Sequence, residues 1–318
     1  MSTMVDRPRA LASGLALALL SATTFGSSGV GAKALIEAGW TAGGAVLARL
    51  AGGAFVLLIV GTVVYRGRWP LGPGAVRVLV IYGTVAMAGT QFAFFNAVRT
   101  LDVGVALLIE FLAPVLLLGW TALRTRTLPA RLTLMGAGIA LAGLVLVIDP
   151  RGTGPLDLAG VAWGLAAAVG LSAFFVLSSR DSSGLPALVM AAGGTLVGAV
   201  IIGGAGLVGL IPVRMTMDRA LLAGVEVAWW IPALWLVLIA TVAAYLTGIG
   251  AISRLGTRVA SFVGLTEVLA AILIAWVVLS ELPGTPQLLG GILILCGIVL
   301  VQRDGGAAVT EEGKTWGS

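Results

Sequence analysis

The chain has 318 residues, of which 59% are hydrophobic and only 10% charged, with 46 Gly and a formal net charge of +5. A soluble domain carries about 25% charged residues, so this composition, at a mean hydropathy of +1.09, excludes an ordinary soluble fold and predicts a helical membrane protein. The chain has no His and a single Cys, Cys296, which excludes an intrachain disulfide, a Cys-rich metal site and the commonest proton shuttle.

Ten apolar spans are predicted, over residues 11–32, 41–64, 75–97, 102–123, 132–148, 158–178, 185–211, 229–252, 259–279 and 287–301. Each is near the ~20 residues a bilayer needs, the fifth and last being short. The first, LASGLALALLSATTFG after MSTMVDRPR, has a signal-peptide outline. The internal repeat described below reads it as a span instead. The second holds Arg49 within VLARLAGG, too deep to snorkel to an interface. A guanidinium there needs a carboxylate or carbonyls, and its fork also suits a substrate carboxylate. The third carries Gln91 and Asn96 in TQFAFFNAV, amides that serve as neutral ligands or as interhelical glue.

The stretch Ala97–Trp120, AVRTLDVGVALLIEFLAPVLLLGW, which contains most of the fourth span, has a carboxyl, Glu110, and a proline, Pro114, at mid-depth. A charge near the bilayer centre costs at least ~2.5–3.5 kcal/mol, and an interior proline removes a helix hydrogen bond. Both are tolerated where neighbouring helices or a wet cavity compensate them. In the later spans Glu267 is a second mid-depth acid, and Trp163 and Tyr245 are aromatics with a polar handle that either face a cavity or fill space against lipid and neighbouring helices. Without His, any proton relay must use such carboxyls. Trp40, Trp69, Trp229 and Trp230 lie near span ends and read as interfacial anchors. Ser21 and Ser172 fall in the first spans of the two halves and read as packing hydroxyls.

Shifting the chain by 154 residues lays Ala97–Val147 on Ala251–Val301 without a gap, with 13 of 51 positions identical, among them Pro129/Pro283, Gly136/Gly290 and Gly143/Gly297. The repeat divides the chain into 1–148, a Pro/Gly linker 149–157, 158–302 and a polar tail 303–318. Five spans per half is an odd number, so the second copy enters the membrane inverted. The expected fold is therefore an all-α polytopic membrane protein with ten transmembrane helices as two inverted five-helix repeats, an architecture of secondary transporters. No strand is expected. With the N-terminus inside, thirteen Lys and Arg residues fall in cytoplasmic segments and five in outer ones, Lys33 among the five. The bias fixes both termini in the cytoplasm. The paired glycines form a small-residue face for helix contact, or for a homodimer.

The fourth and fifth spans, with GAGIALAGLVLVI, and their second-half counterparts SRLGTRVASFVGLTEVLAAILIAWVVLSELP and GGILILCGIVLV, resemble the EamA-type transporters of the drug/metabolite transporter superfamily. The likeness covers essentially the whole chain. It implies two five-helix repeats around a central cavity and export of a small metabolite, often an amino acid or related compound. The second-half motif of that family often reads Glu-Pro, whereas this chain has Glu267-Val268, so no proline kink is expected there. The motif closes on Glu281 in the second half and on Thr127 in the first.

The function read from the sequence is a secondary transporter in the inner or plasma membrane, working by alternating access, with protons exchanging through Glu110 or Glu267. The alternatives are a carrier or importer without proton coupling, and a non-transporting receptor or partner subunit, which predicts no polar cavity between the halves. The site set is Glu110, Glu267, Arg49, Gln91, Trp163, Tyr245, Asn96 and Pro114. The expected partners are a small-molecule substrate and the lipid bilayer, with no nucleic acid and no cofactor. Nothing resembles a phosphate-binding loop that would couple ATP directly, and no nucleophile–base pair suggests an enzyme.

Overall fold

The computed structural model describes residues 6–126, 129–148, 157–179 and 184–315. Among these residues eight helices are long and apolar enough to cross a membrane: α1 (Leu11–Glu37), α2 (Ala42–Val64), α3 (Ala75–Ala97), α4 (Val103–Thr125), α6 (Leu158–Leu177), α7 (Ala187–Leu207), α8 (Trp230–Gly256) and α9 (Phe262–Leu279). Two shorter apolar helices, α5 (Arg131–Val147) and α10 (Thr285–Val301), stand at the two positions where short spans were expected. The backbone of α10 runs on as helix to Thr315. Thr127 and most of the 149–157 linker lie outside the described residues. α1 reaches Glu37, so Lys33 belongs to the helix and not to the loop after it.

Leu123, Leu207, Val63 and Val277 are exposed on the outside of the bundle, which only a hydrocarbon solvent makes favourable. Inside, glycines let helices touch backbone to backbone. α5 packs on α10 with Gly136 against Gly297 and Gly143 against Gly290, so the two helices run antiparallel. A Cβ on Gly143 would stand 2.6 Å from the Gly290 carbonyl oxygen. The small-residue face is thus used within the chain. α1 packs on α8, where the Ser21 hydroxyl donates to the Ala244 carbonyl at 2.9 Å. In the matching half α6 packs on α3 and α4, and the Ser172 hydroxyl donates to the Ala113 carbonyl at 2.9 Å.

The repeat is visible in the helix defects. α3 is π-helical over Gly83–Gly89 and α8 over Trp235–Ala243, two stretches that overlap under the 154-residue shift. α4 breaks after Glu110 and restarts at Ala113, where Pro114 occupies the first turn. The second-half helix breaks at the corresponding place, Leu265, between Gly264 and Thr266. No proline stands there, so nothing in the residue pattern signals that second break. Gly264 supplies the flexible position, and the cavity beside it tolerates the freed backbone groups.

The expectation of no strands is corrected by a small hairpin between α7 and α8, Ala220–Leu222 paired antiparallel with Val225–Val227. The chain leading into it lies across the junction of α1 and α2. Thr41 Oγ1 donates to the Pro212 carbonyl at 2.8 Å, the Arg214 amide donates to Thr41 Oγ1 at 2.9 Å, and Trp40 Nε1 donates to the Thr216 carbonyl at 2.9 Å. The hairpin is tied down where the Ala223 amide donates to the Val278 carbonyl at 2.7 Å. Short polar residues in a long loop make such a cap, and apolar periodicity does not reveal it.

Candidate functional site

The helix breaks meet at a cavity of about 1150 Å³ between the halves. From the first half it is lined by Arg49 of α2, Thr90 and Gln91 of α3, and Glu110 and Pro114 of α4. The second half contributes Phe174 of α6, Tyr245 of α8 and Glu267 of α9. Thr121, Pro129, Ala130 and Thr133 continue the lining toward the end of the bundle that carries Arg124, Arg126 and Arg131. None of Lys33, Trp40, Asp102, Trp229 or Glu281, at the opposite end, lines it.

Arg49 is buried, 4% exposed. Its Nε–H donates to Thr241 Oγ1 at 3.0 Å and an Nη2–H to the Ala240 carbonyl at 3.1 Å, while the guanidinium lies 5.7 Å from the Phe95 ring centroid. The π-helical stretch of α8 makes this possible. Thr241 donates its own hydroxyl to the Leu236 carbonyl, five residues back, and offers a lone pair to Arg49. The ion pairs among the described residues are Lys33–Glu281 and Arg219–Glu226, so Arg49 pairs directly with neither Glu110 nor Glu267. Both carboxyls nevertheless lie within reach of its charge. Arg49 therefore acts on the acids through space, held by a hydroxyl and a carbonyl, and it does not snorkel.

Six of the eight residues singled out in the sequence line this cavity: Arg49, Gln91, Glu110, Pro114, Tyr245 and Glu267. The other two stand apart. Asn96 is buried, but its amide donates to the Phe92 carbonyl one turn back, at 2.8 Å. Trp163 is 39% exposed on the outside of α6 and packs edge-on against Phe92, ring centroids 5.7 Å apart. Phe25, Ser28, Thr90 and the Arg49 anchor Thr241 carried no signal in the sequence, because single aromatics and hydroxyls are common in apolar helices. Gln91 reaches only the Met87 sulfur, at 4.0 Å, and its Oε1 is buried without a partner. Among the described residues no three His, Cys, Asp or Glu side chains cluster to hold a metal ion.

The end opposite the cavity mouth is held by polar contacts. Lys33 of α1 forms an ion pair with Glu281, which follows α9, and donates to the Leu101 carbonyl at 3.1 Å. Glu281 also accepts the Val103 amide at 2.8 Å. A residue of the second half thereby caps the first turn of α4, the helix that carries Glu110.

The sequence matches the EamA-like transporter family over residues 12–149 and 158–303, one copy in each half. It is 25% identical over 228 residues to a protein of Salmonella typhimurium described as an uncharacterized inner membrane transporter, YicL. The alignment covers 71% of this chain and 73% of that relative. A solved structure, described only as the crystal structure of a protein, superposes over 93% of this chain and 98% of its own, with a TM-score of 0.56 at 20% identity. That likeness speaks for the fold alone.

Proposed function

Since the chain belongs to the EamA-like transporter family, and is thus a multi-pass membrane transporter and not an enzyme, we propose that it exports a small metabolite by alternating access between two inverted five-helix halves, residues 1–148 and 158–302, across the inner or plasma membrane. The observation that carries this is the cavity: one chamber walled by both halves, containing Arg49, Glu110, Gln91 and Glu267, and reaching one end of the bundle only. The positive-inside bias puts Arg124, Arg126 and Arg131 in the cytoplasm, so the chamber faces inward, and the Lys33–Glu281 contact with the hairpin cap closes the outer end. The antiparallel α5–α10 contact and the paired π-helical stretches support the inverted repeat. Both termini are cytoplasmic in this arrangement.

Glu110 and Glu267 are the carboxyls through which a proton gradient would couple, because the chain has no His and no other acid among the described residues lines the cavity. The test is counterflow and gradient-driven efflux from proteoliposomes. An imposed pH gradient accelerates efflux through the wild type, and Glu110→Gln loses the gradient response while still giving counterflow at saturating substrate. Transport indifferent to the gradient in the wild type removes proton coupling and leaves a facilitative carrier.

A further inference from the structure

The polar atoms around the cavity are unevenly matched. Several donors are engaged with the protein: two of the five N–H groups of Arg49 on Thr241 and Ala240, the Tyr245 hydroxyl on Met87 Sδ at 3.1 Å, and the Thr90 hydroxyl on the Val85 carbonyl at 3.1 Å. The strongest acceptors are not. Neither Glu110 nor Glu267 has a hydrogen bond or ion pair among the described residues. Gln91 Oε1 is buried and orphaned, a costly state unless something donates to it. The remaining wall is rich in aromatic rings, including Phe94, Phe111, Phe174 and Phe262, whose faces attract a cation.

Resting on the transport reading above, we infer that the cavity takes an amphipathic organic amine in its ammonium form. The N–H groups of the ligand supply Glu110, Glu267 and Gln91 Oε1 with the donors the protein does not provide. The apolar body lies against the phenylalanine rings. A carboxylate on the ligand contributes less, because two of the Arg49 donors are already fixed to the wall.

The probes are three compounds sharing one phenyl body: phenethylamine, its N-acetyl derivative and 3-phenylpropionate. Each is titrated at up to millimolar concentration against the full-length protein in detergent micelles, with thermal stability as the readout, and each is then tested as a counterflow substrate in proteoliposomes. Phenethylamine gives a saturable rise in Tm, and the N-acetyl compound and the acid give none. Glu110→Gln and Glu267→Gln each weaken amine binding by about tenfold or more, the scale of one lost charge-assisted contact. The inference is overturned if phenethylamine gives no shift, if the acid or the N-acetyl compound binds as well as the amine, or if the amine binds both variants unchanged. The wild-type comparison stands even where a variant fails to fold. An amine that binds in micelles but is not moved in proteoliposomes sinks the transport reading and leaves this one; counterflow of the acid without the amine does the reverse.

Discussion

At the residue scale, the polar groups of the cavity are the ones an apolar sequence makes conspicuous. Arg49, Gln91, Glu110 and Glu267 stand out because hydrocarbon penalises each of them. Their anchors do not stand out, and Thr241 is the clearest case. Thr241→Val removes the acceptor for Arg49 Nε–H and leaves a charged donor buried, which costs about 1–3 kcal/mol. The expected result is a lowered Tm together with weakened counterflow, and a Tm equal to the wild type would show that the anchor is dispensable. Arg49→Lys does not restore function, because an ammonium cannot reach Thr241 Oγ1 and the Ala240 carbonyl from one planar fork. Trp163 and Asn96 were as conspicuous as the cavity residues, and the structure puts them elsewhere. Where a helix is apolar on all sides, its sequence does not tell which face meets the cavity and which meets lipid.

At the scale of elements, two helix contacts carry separable predictions. Gly143→Ala inserts a methyl group 2.6 Å from the Gly290 carbonyl oxygen. It must push α5 from α10, at about 1–3 kcal/mol, the usual cost of overpacking. Gly138→Ala, on the same helix, meets nothing within 4 Å and should be neutral or slightly stabilising, since alanine holds a helix better than glycine. Thermal melts of the two purified variants decide the matter, and equal Tm values would mean that α5 and α10 are not packed through these glycines. The second contact is the start of α6. Asp157 Oδ1 accepts the Gly160 amide at 2.9 Å. That bond, with one from the Thr100 hydroxyl, holds the Asp157 carboxyl below the usual carboxylate range. A depressed pKa means the cap contributes fully above the unfolded pKa and is lost as pH falls through the folded one. Amide protection factors in the first turn of α6, corrected for the intrinsic pH dependence of exchange, should therefore be high near neutrality and fall in acid. In Asp157→Ala they should be low throughout, and a corrected pH response persisting in that variant would exclude the cap as its source.

For the whole molecule, the question is what keeps the end opposite the cavity mouth shut, the outer end in the proposed orientation. Lys33 and Glu281 join α1 to the loop after α9, and Glu281 caps α4 as well. Glu281→Gln keeps an acceptor for the Val103 amide while removing the charge opposite Lys33, so it weakens the closure without uncapping the helix. In a Cys296→Ser background carrying Thr90→Cys, a membrane-impermeant maleimide added from the outside should label the cavity several-fold faster once Glu281→Gln is introduced. Unchanged labelling would show that the hairpin cap and the α1–α2 junction, not this ion pair, govern outward opening. The sequence marked Glu281 only as the end of a family motif. Its two partners lie 248 and 178 positions earlier in the chain, beyond the reach of any local pattern.

The amino-acid sequence by itself determined the solvent, the helical class, the internal repeat and the identity of the mid-depth charges, because hydrocarbon selects against polar atoms so strongly that composition and spacing suffice to read them. The tertiary structure alone decided which helix faces turn inward and which hydroxyls anchor Arg49. It also decided that the second half breaks at Leu265 without a proline, and that Lys33 meets Glu281. Each of these depends on contacts between distant segments. In lipid such contacts are selected by close packing and by the matching of hydrogen-bond groups, not by hydrophobicity, so they leave little trace in the order of residues.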